Sequence, residues 1–99
     1  MEQPPSWRVV TTSDFDDDCA ALSAIAPRVW QVVESWTWYL ERVPLRYSEG
    51  VSTEDDNIRI AAWTDDERDG LSYYAALTID RNKRVVLLRW IRILNLLAG

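Results

Sequence analysis

The spacing of apolar positions changes along the chain, from a short strand pattern to helical spacing and then back to strands. Residues 7–11 are aromatic and β-branched, which favours a strand. After them, apolar residues recur at helical spacing, and Ser13 followed by Asp16 is typical of a helix N-cap. We therefore expect a first strand at 7–11 and a first helix that begins near Asp14 and is interrupted at Pro27.

A second amphipathic helix is predicted over residues 28–43, ended by Pro44. At about 100° per residue its apolar side chains fall within one arc, and its charged side chains lie opposite. Because the connection at Pro27 is short, the two helices should form an antiparallel hairpin. Trp30 and Trp38 fall on the polar side, so either they bind a partner or the strands or the N-terminal segment cover them.

The second half of the chain is rich in strand formers, at residues 57–63, 71–80 and 83–94. Arg81 and Asn82 are predicted to form a two-residue hairpin turn, because Asn tolerates the positive φ that such turns need. The fold class is therefore α+β, with an N-terminal strand, an antiparallel helical hairpin and a three-stranded antiparallel meander, about four strands in one sheet. The predicted core consists of Val9, Phe15, Leu22, Ile25, Val33, Trp36, Leu40, Ile60, Leu77, Ile79 and Leu87.

The size and composition of the chain fit one domain. Its 99 residues, 47% of them apolar, are typical of a single domain, here 1–99 with a disordered segment at 1–6. No apolar run is long enough for a membrane helix, and the start lacks the pattern of a signal peptide. We therefore expect a soluble, cytoplasmic protein.

Residue types missing from the chain exclude several kinds of site. A single cysteine, Cys19, cannot form an intramolecular disulfide, and without histidine neither a Cys/His zinc site nor an imidazole base can be built. The carboxylates of residues 16–18 point in different directions on a helix and cannot converge on one ion. We therefore expect no metal site, and we expect no cofactor. The net charge of −5 argues against general nucleic-acid binding, although residues 81–99 carry five basic residues and no acid.

The C-terminal strand carries more apolar residues than one covered face can hide. Strict alternation leaves large apolar side chains on the other face in either register. Such a strand is either covered on both sides or forms a partner surface. We favour a partner surface that includes Trp90, Leu94, Leu96 and Leu97. The helix residues Trp30 and Trp38 are separate partner-binding candidates.

The order of elements, together with two stretches of sequence, resembles the RelE/ParE superfamily of small bacterial toxins. Residues 7–15 read Trp-Arg-Val-Val-Thr-Thr-Ser-Asp-Phe, similar to that family's opening strand and helix. Residues 73–92 are similar to its closing hairpin, in which a Tyr-containing strand turns at Asp80 and returns through an apolar strand with arginines. The resemblance covers about residues 7–94. It implies an antitoxin partner and either mRNA cleavage on the ribosome or action on DNA gyrase.

Metal-free RNA cleavage needs a base, an acid and cations around the phosphate. Arg59, Arg89 and Arg92 are the candidate phosphate-binding residues, and Arg92 matches loosely an arginine of the family's closing strand. Ile91 stands where many members have histidine. Tyr73 or Tyr74 could donate or remove a proton only if its pKa were moved substantially, and the strand preference of Tyr favours each as a sheet aromatic. The arginines have a plain alternative as sheet-surface residues.

Three functions from different classes follow from these features. The lack of histidine, the single lysine and the negative charge favour a toxin-like protein that acts by protein binding. The second hypothesis is a ribosome-dependent mRNA endoribonuclease. The third is a small acidic inhibitor, of phage type, that mimics nucleic acid. The expected partner is a protein, namely an antitoxin, a target or a second copy, and ribosome-associated RNA is the only nucleic acid expected.

Overall fold

A computed structural model describes residues 5–65 and 70–95, which form a layer of helices on one face of a five-stranded sheet. The strand order is β1-β5-β4-β3-β2, and only β1 and β5 are parallel among the described pairs. No helix in the described ranges is long and apolar enough to span a membrane. The elements are β1 Arg8–Thr11, α1 Ser13–Leu22, α2 Val29–Leu40, α3 Pro44–Tyr47, β2 Glu49–Gly50, β3 Ile58–Asp65, β4 Leu71–Asp80 and β5 Val85–Asn95.

The predicted α+β class and the order of elements are confirmed, but the sheet differs from the prediction in two ways. It gains the two-residue strand β2, and it is mixed because β1 runs parallel to β5. The parallel pair follows from the path of the helices. The N–H groups of Ser6 and Trp7 donate to the Glu41 carbonyl at 3.0 Å, so α2 returns the chain to the end of the sheet where β1 began. β3 and β5 of the three-stranded meander then both run in the direction of β1.

The boundaries of both main helices differ from the predicted ones. The N-cap of α1 is Thr12 rather than Ser13, because the Thr12 hydroxyl accepts from the N–H of Phe15 at 3.1 Å. α2 ends at Leu40, and Pro44, predicted to end it, begins the short helix α3. Of the segment 1–6 that we expect to be disordered, residues 1–4 lie outside the described residues, and the hydrogen bond of Ser6 fixes its backbone.

A β-bulge in β5 changes which side chains face the helices. Leu77 of β4 pairs with Leu88, whereas its neighbour Ala76 pairs with Trp90, so Arg89 is the extra residue. Leu88 and Ile91 are consequently both buried beneath the helices. Strict alternation along β5 was the wrong expectation, because the bulge reverses the phase in the middle of the strand.

The core lies between the helices and one face of the sheet. Phe15, Trp36, Leu40, Leu77 and Ile79 are buried there as predicted, and Val9, Leu22 and Val33 pack against them while half-buried. Three core predictions were wrong. Ile25 is 76% exposed in the turn after α1, and Ile60 and Leu87 are half-buried on the opposite face of the sheet, where they pair with Ala76 and Thr78.

The turn between β4 and β5 is longer than the predicted two residues. It spans 81–84, and its residue with positive φ is Arg84, at 55°, rather than Asn82. The Asp80 carboxylate accepts from the N–H groups of Asn82 and Lys83 at 3.1 and 3.0 Å. This side-chain cap satisfies the backbone of the turn and thereby favours the longer connection.

We expect Trp36→Ala to lower the free energy of unfolding by about 3 to 5 kcal/mol, because Trp36 is fully buried and its removal leaves a cavity. Urea unfolding measures the change, and Trp30→Ala is the matched control because Trp30 is exposed on the same helix. Equal losses in the two variants would contradict the assigned helix orientation.

Candidate functional site

The face of the sheet opposite the helices, which we call the open face, is covered by none of the described elements. It is strongly apolar, and Ile58 and Leu94 are 41% and 54% exposed. An exposed apolar surface of this kind marks an interaction site. By strand register the open face consists of Arg8, Val10, Glu49, Ile58, Ile60, Ala62, Thr64, Ser72, Tyr74, Ala76, Thr78, Asp80, Val85, Leu87, Trp90, Arg92 and Leu94.

Trp90, Arg92 and Leu94 lie together on this face because they alternate along β5 beyond the bulge. The guanidinium carbon of Arg92 lies 4.9 Å from the centroid of the Trp90 ring. Thus the structure brings two predicted partner-binding residues, Trp90 and Leu94, into one surface. Leu96 and Leu97, predicted to extend it, lie outside the described residues.

Arg92 is held in place by helix α1. Its Nη1 donates to Oδ2 of Asp18 at 2.7 Å, and the same carboxylate oxygen accepts from the N–H of Ile91 at 3.2 Å. β1 pairs with β5 only as far as Leu88, and no other described strand pairs with this edge of β5 beyond that point. Asp18 therefore covers the edge of β5 and orients the arginine.

Trp30 and Trp38 form a second exposed surface, on α2. They are 49% and 43% exposed, so neither the strands nor the described N-terminal residues cover them. The guanidinium carbon of Arg42 lies 4.1 Å from the Trp38 ring centroid, and Tyr39 packs edge-on against the same ring. This surface lies on the helical side of the sheet, away from the open face.

Arg59 has a structural position. It is buried, and its five N–H groups donate to Ser48 Oγ and O, to Asp56 Oδ1 and O, and to the Leu45 carbonyl, at 2.7 to 3.1 Å. These bonds tie β3 to α3 and to the loop before β3. With every donor used, Arg59 has none left for a phosphate.

The other residues suggested for RNA cleavage also lie apart. Tyr73 is fully buried on the helical side, whereas Arg92 lies on the open face and Arg89 is the exposed bulge residue. Tyr74, the alternative to Tyr73, pairs with Arg92 across the sheet and is half-buried. The predicted residues therefore do not converge on one catalytic site.

Two cations that sequence reasoning missed, Arg8 and Lys83, lie beside the apolar open face. They line a groove together with Val10 and Leu87. Strand alternation could have identified Arg8, because its neighbour Val9 faces the core and Arg8 must then face the other side of the sheet. The sequence pattern could not place Lys83 in the groove, because its position depends on the conformation of the turn that Asp80 caps.

Two buried groups have raised pKa values. Burial, reinforced by the negative charges of Asp16 and Asp18, raises the pKa of the Cys19 thiol to about 11. Burial and the neighbouring Tyr39 raise the pKa of Tyr47 to about 12. Cys19 is thus a poor nucleophile near neutral pH. Among the described residues, no group of acidic or cysteine side chains could hold a metal ion.

Comparison with known proteins gives a likeness in fold. No family model matches the sequence, and no curated protein matches it. Among solved structures, a chain of the toxin–antitoxin complex RelBE2 from Mycobacterium tuberculosis is similar, with a TM-score of 0.67 and 22% identity. The match covers 92% of this chain and 95% of that one. The chain therefore shares its fold with that chain of the RelBE2 complex, which agrees with the sequence resemblance.

We expect Arg59→Met to lower the free energy of unfolding by about 2 to 3 kcal/mol, because the carbonyls of Leu45 and Ser48 lose their donors while the solvent-exposed Asp56 adds little. Arg89→Met is the control and should change it by less than about 0.5 kcal/mol, since Arg89 is exposed. Urea unfolding measures both, and a larger loss for Arg89→Met would contradict the assigned roles.

The pH dependence of stability should reflect the two raised pKa values. Above about pH 9 the thiol, and then the phenol, ionise in the unfolded chain, whereas Cys19 and Tyr47 stay protonated in the folded chain. The free energy of unfolding should therefore fall as the pH rises through this range and level off above the folded pKa values. The double variant Cys19→Val, Tyr47→Phe should flatten the decline in urea titrations. An unchanged slope would contradict this assignment.

Proposed function

We propose that this chain is a toxin-like protein that acts by binding another protein, and not by cutting RNA. The observation that supports this proposal best is the apolar open face, on which Trp90 and Leu94 are exposed beside Arg92. Aromatic and arginine side chains of this kind supply much of the affinity in protein interfaces. The similar structure is itself a complex of a toxin with an antitoxin, which supports a protein partner here.

The arrangement of polar groups speaks against RNA cleavage. Such a reaction needs an acid, a base and free cations on one surface. On the open face Arg92 is already paired with Asp18, and Tyr74 is the only tyrosine beside it among the described residues. Tyr73 and Arg59, which would complete the site, are buried on the other side of the sheet.

Two of the acidic side chains, Asp18 and Asp56, support protein binding over mimicry of nucleic acid. A mimic needs free carboxylates in a phosphate-like array. Asp18 pairs with Arg92, and Asp56 pairs with both Arg59 and Arg81 at 2.7 and 2.8 Å. These carboxylates serve the fold of the chain.

We expect no specific RNA cleavage when the protein is incubated with translating ribosomes, because the groups needed for cleavage are not assembled on one face. Mapping of new RNA 5′ ends is the measurement, with Arg92→Ala and Tyr74→Phe run in parallel. New ends that appear with the unchanged protein and vanish in both variants would overturn the proposal in favour of a ribonuclease.

We expect a tagged chain, produced in its native host, to recover one protein in a defined ratio. The double variant Trp90→Ser, Leu94→Ser should lose that protein, because both side chains belong to the exposed surface of β5. Val51→Ser is the matched control, since Val51 is also exposed but lies in a loop. Mass spectrometry identifies and quantifies the recovered protein. Equal recovery with the unchanged chain, the double variant and Val51→Ser would contradict a role of the open face in binding it.

A further inference from the structure

A groove crosses the open face at the end of the sheet where β1 and β5 begin. Its volume is about 420 Å³. Val10, Val85 and Leu87 provide aliphatic surface in it, and Arg8 and Lys83 line it with positive charge. The groove therefore combines an apolar lining with two cations.

The cations of this groove are not neutralised by the fold. Among residues 5–65 and 70–95, neither the Arg8 nor the Lys83 side chain has a hydrogen bond or ion pair. Arg59, Arg81 and Arg92, by contrast, each have a carboxylate partner. Unpaired cations beside an apolar surface favour a ligand that brings its own negative charge.

A third cation extends the positive surface beyond the groove. The guanidinium carbon of Arg84 lies 5.8 Å from the centroid of the Trp7 ring, and both residues line a shallower depression that shares Arg8 and Lys83. Asp80 is the one acid among the lining residues of the two depressions, and its Oδ1 accepts two N–H groups of the turn. The positive charge of this end of the sheet is therefore only partly offset.

We infer that this groove binds an acidic, apolar segment of the protein partner. Apolar side chains of the segment pack on Val10 and Leu87, and its carboxylates pair with Arg8 and Lys83. This inference rests on the proposed function and adds the chemistry of the partner. The aliphatic lining favours a peptide over RNA, because single-stranded RNA needs aromatic side chains on which its bases stack.

The test measures binding of short fluorescein-labelled probes by fluorescence anisotropy. One peptide alternates Glu and Leu, a second alternates Lys and Leu, and the third probe is oligouridylate RNA. We expect only the Glu–Leu peptide to bind, and Arg8→Glu or Lys83→Glu to weaken it about tenfold. Arg46→Glu, the same charge change on exposed α3, should alter the affinity by less than about twofold. Leu87→Ser should weaken binding through the apolar lining.

Several results would overturn the inference. If Arg46→Glu weakens peptide binding as much as Arg8→Glu does, net charge alone attracts the peptide. If oligouridylate binds and its binding depends on Arg8, the groove is a nucleic-acid site. Circular dichroism and urea unfolding of each variant separate lost binding from lost structure. If the protein recovered from the native host still binds Arg8→Glu and Lys83→Glu at full strength, the groove is rejected while the proposed function stands. If the unchanged chain recovers no protein, the proposed function itself fails.

Discussion

The one-residue bulge at Arg89 determines what each face of the sheet displays. Before it, Leu88 faces the helices, and after it Ile91 takes the same side, so Trp90, Arg92 and Leu94 emerge on the open face. If Arg89 were instead paired regularly with β4, alternation from Leu88 would direct Trp90 and Arg92 into the core. The bulge lies where β1 gives way to α1, and Thr12 fixes it there by donating from its hydroxyl to the Arg89 carbonyl at 2.9 Å.

Arginine has opposite roles at different places in this fold. Arg59 is buried because nearby carbonyls and Asp56 accept all of its N–H groups, and Asp56 reaches Arg81 as well. A Cβ at position 50 would lie 2.7 Å from Oδ1 of Asp56, so a larger residue there would displace the carboxylate that Arg59 and Arg81 share. Within the described ranges the Arg8 side chain has no such acceptor, and it lies exposed on the open face. The number of acceptors within reach thus separates structural arginines from those available to a ligand.

Local patterns in the sequence were sufficient for the main elements. The helical spacing of α2 identified Trp36 and Leu40 as core and placed Trp30 on the polar side, because a single covered face sets the phase of the helix. That spacing left open whether other segments cover Trp30. The bulge was not predictable from the sequence, because no residue type marks the position of a bulge. Its position at Arg89 depends on a hydrogen bond from Thr12, which is distant in the sequence. Nor could Arg59 be distinguished from Arg92, because their acceptors come from other parts of the chain.

The parallel pairing of β1 with β5 has a consequence for how the protein is made. It joins residues 8–11 to residues 85–88, so β1 has no partner until β5 has been synthesised. Contacts between such distant segments close the longest loop of the chain, and they form late in folding. A ribosome that stops before β5 releases a chain with neither the edge that Asp18 covers nor the groove beside Arg8. The open face and its groove are therefore complete only once β5 has been synthesised.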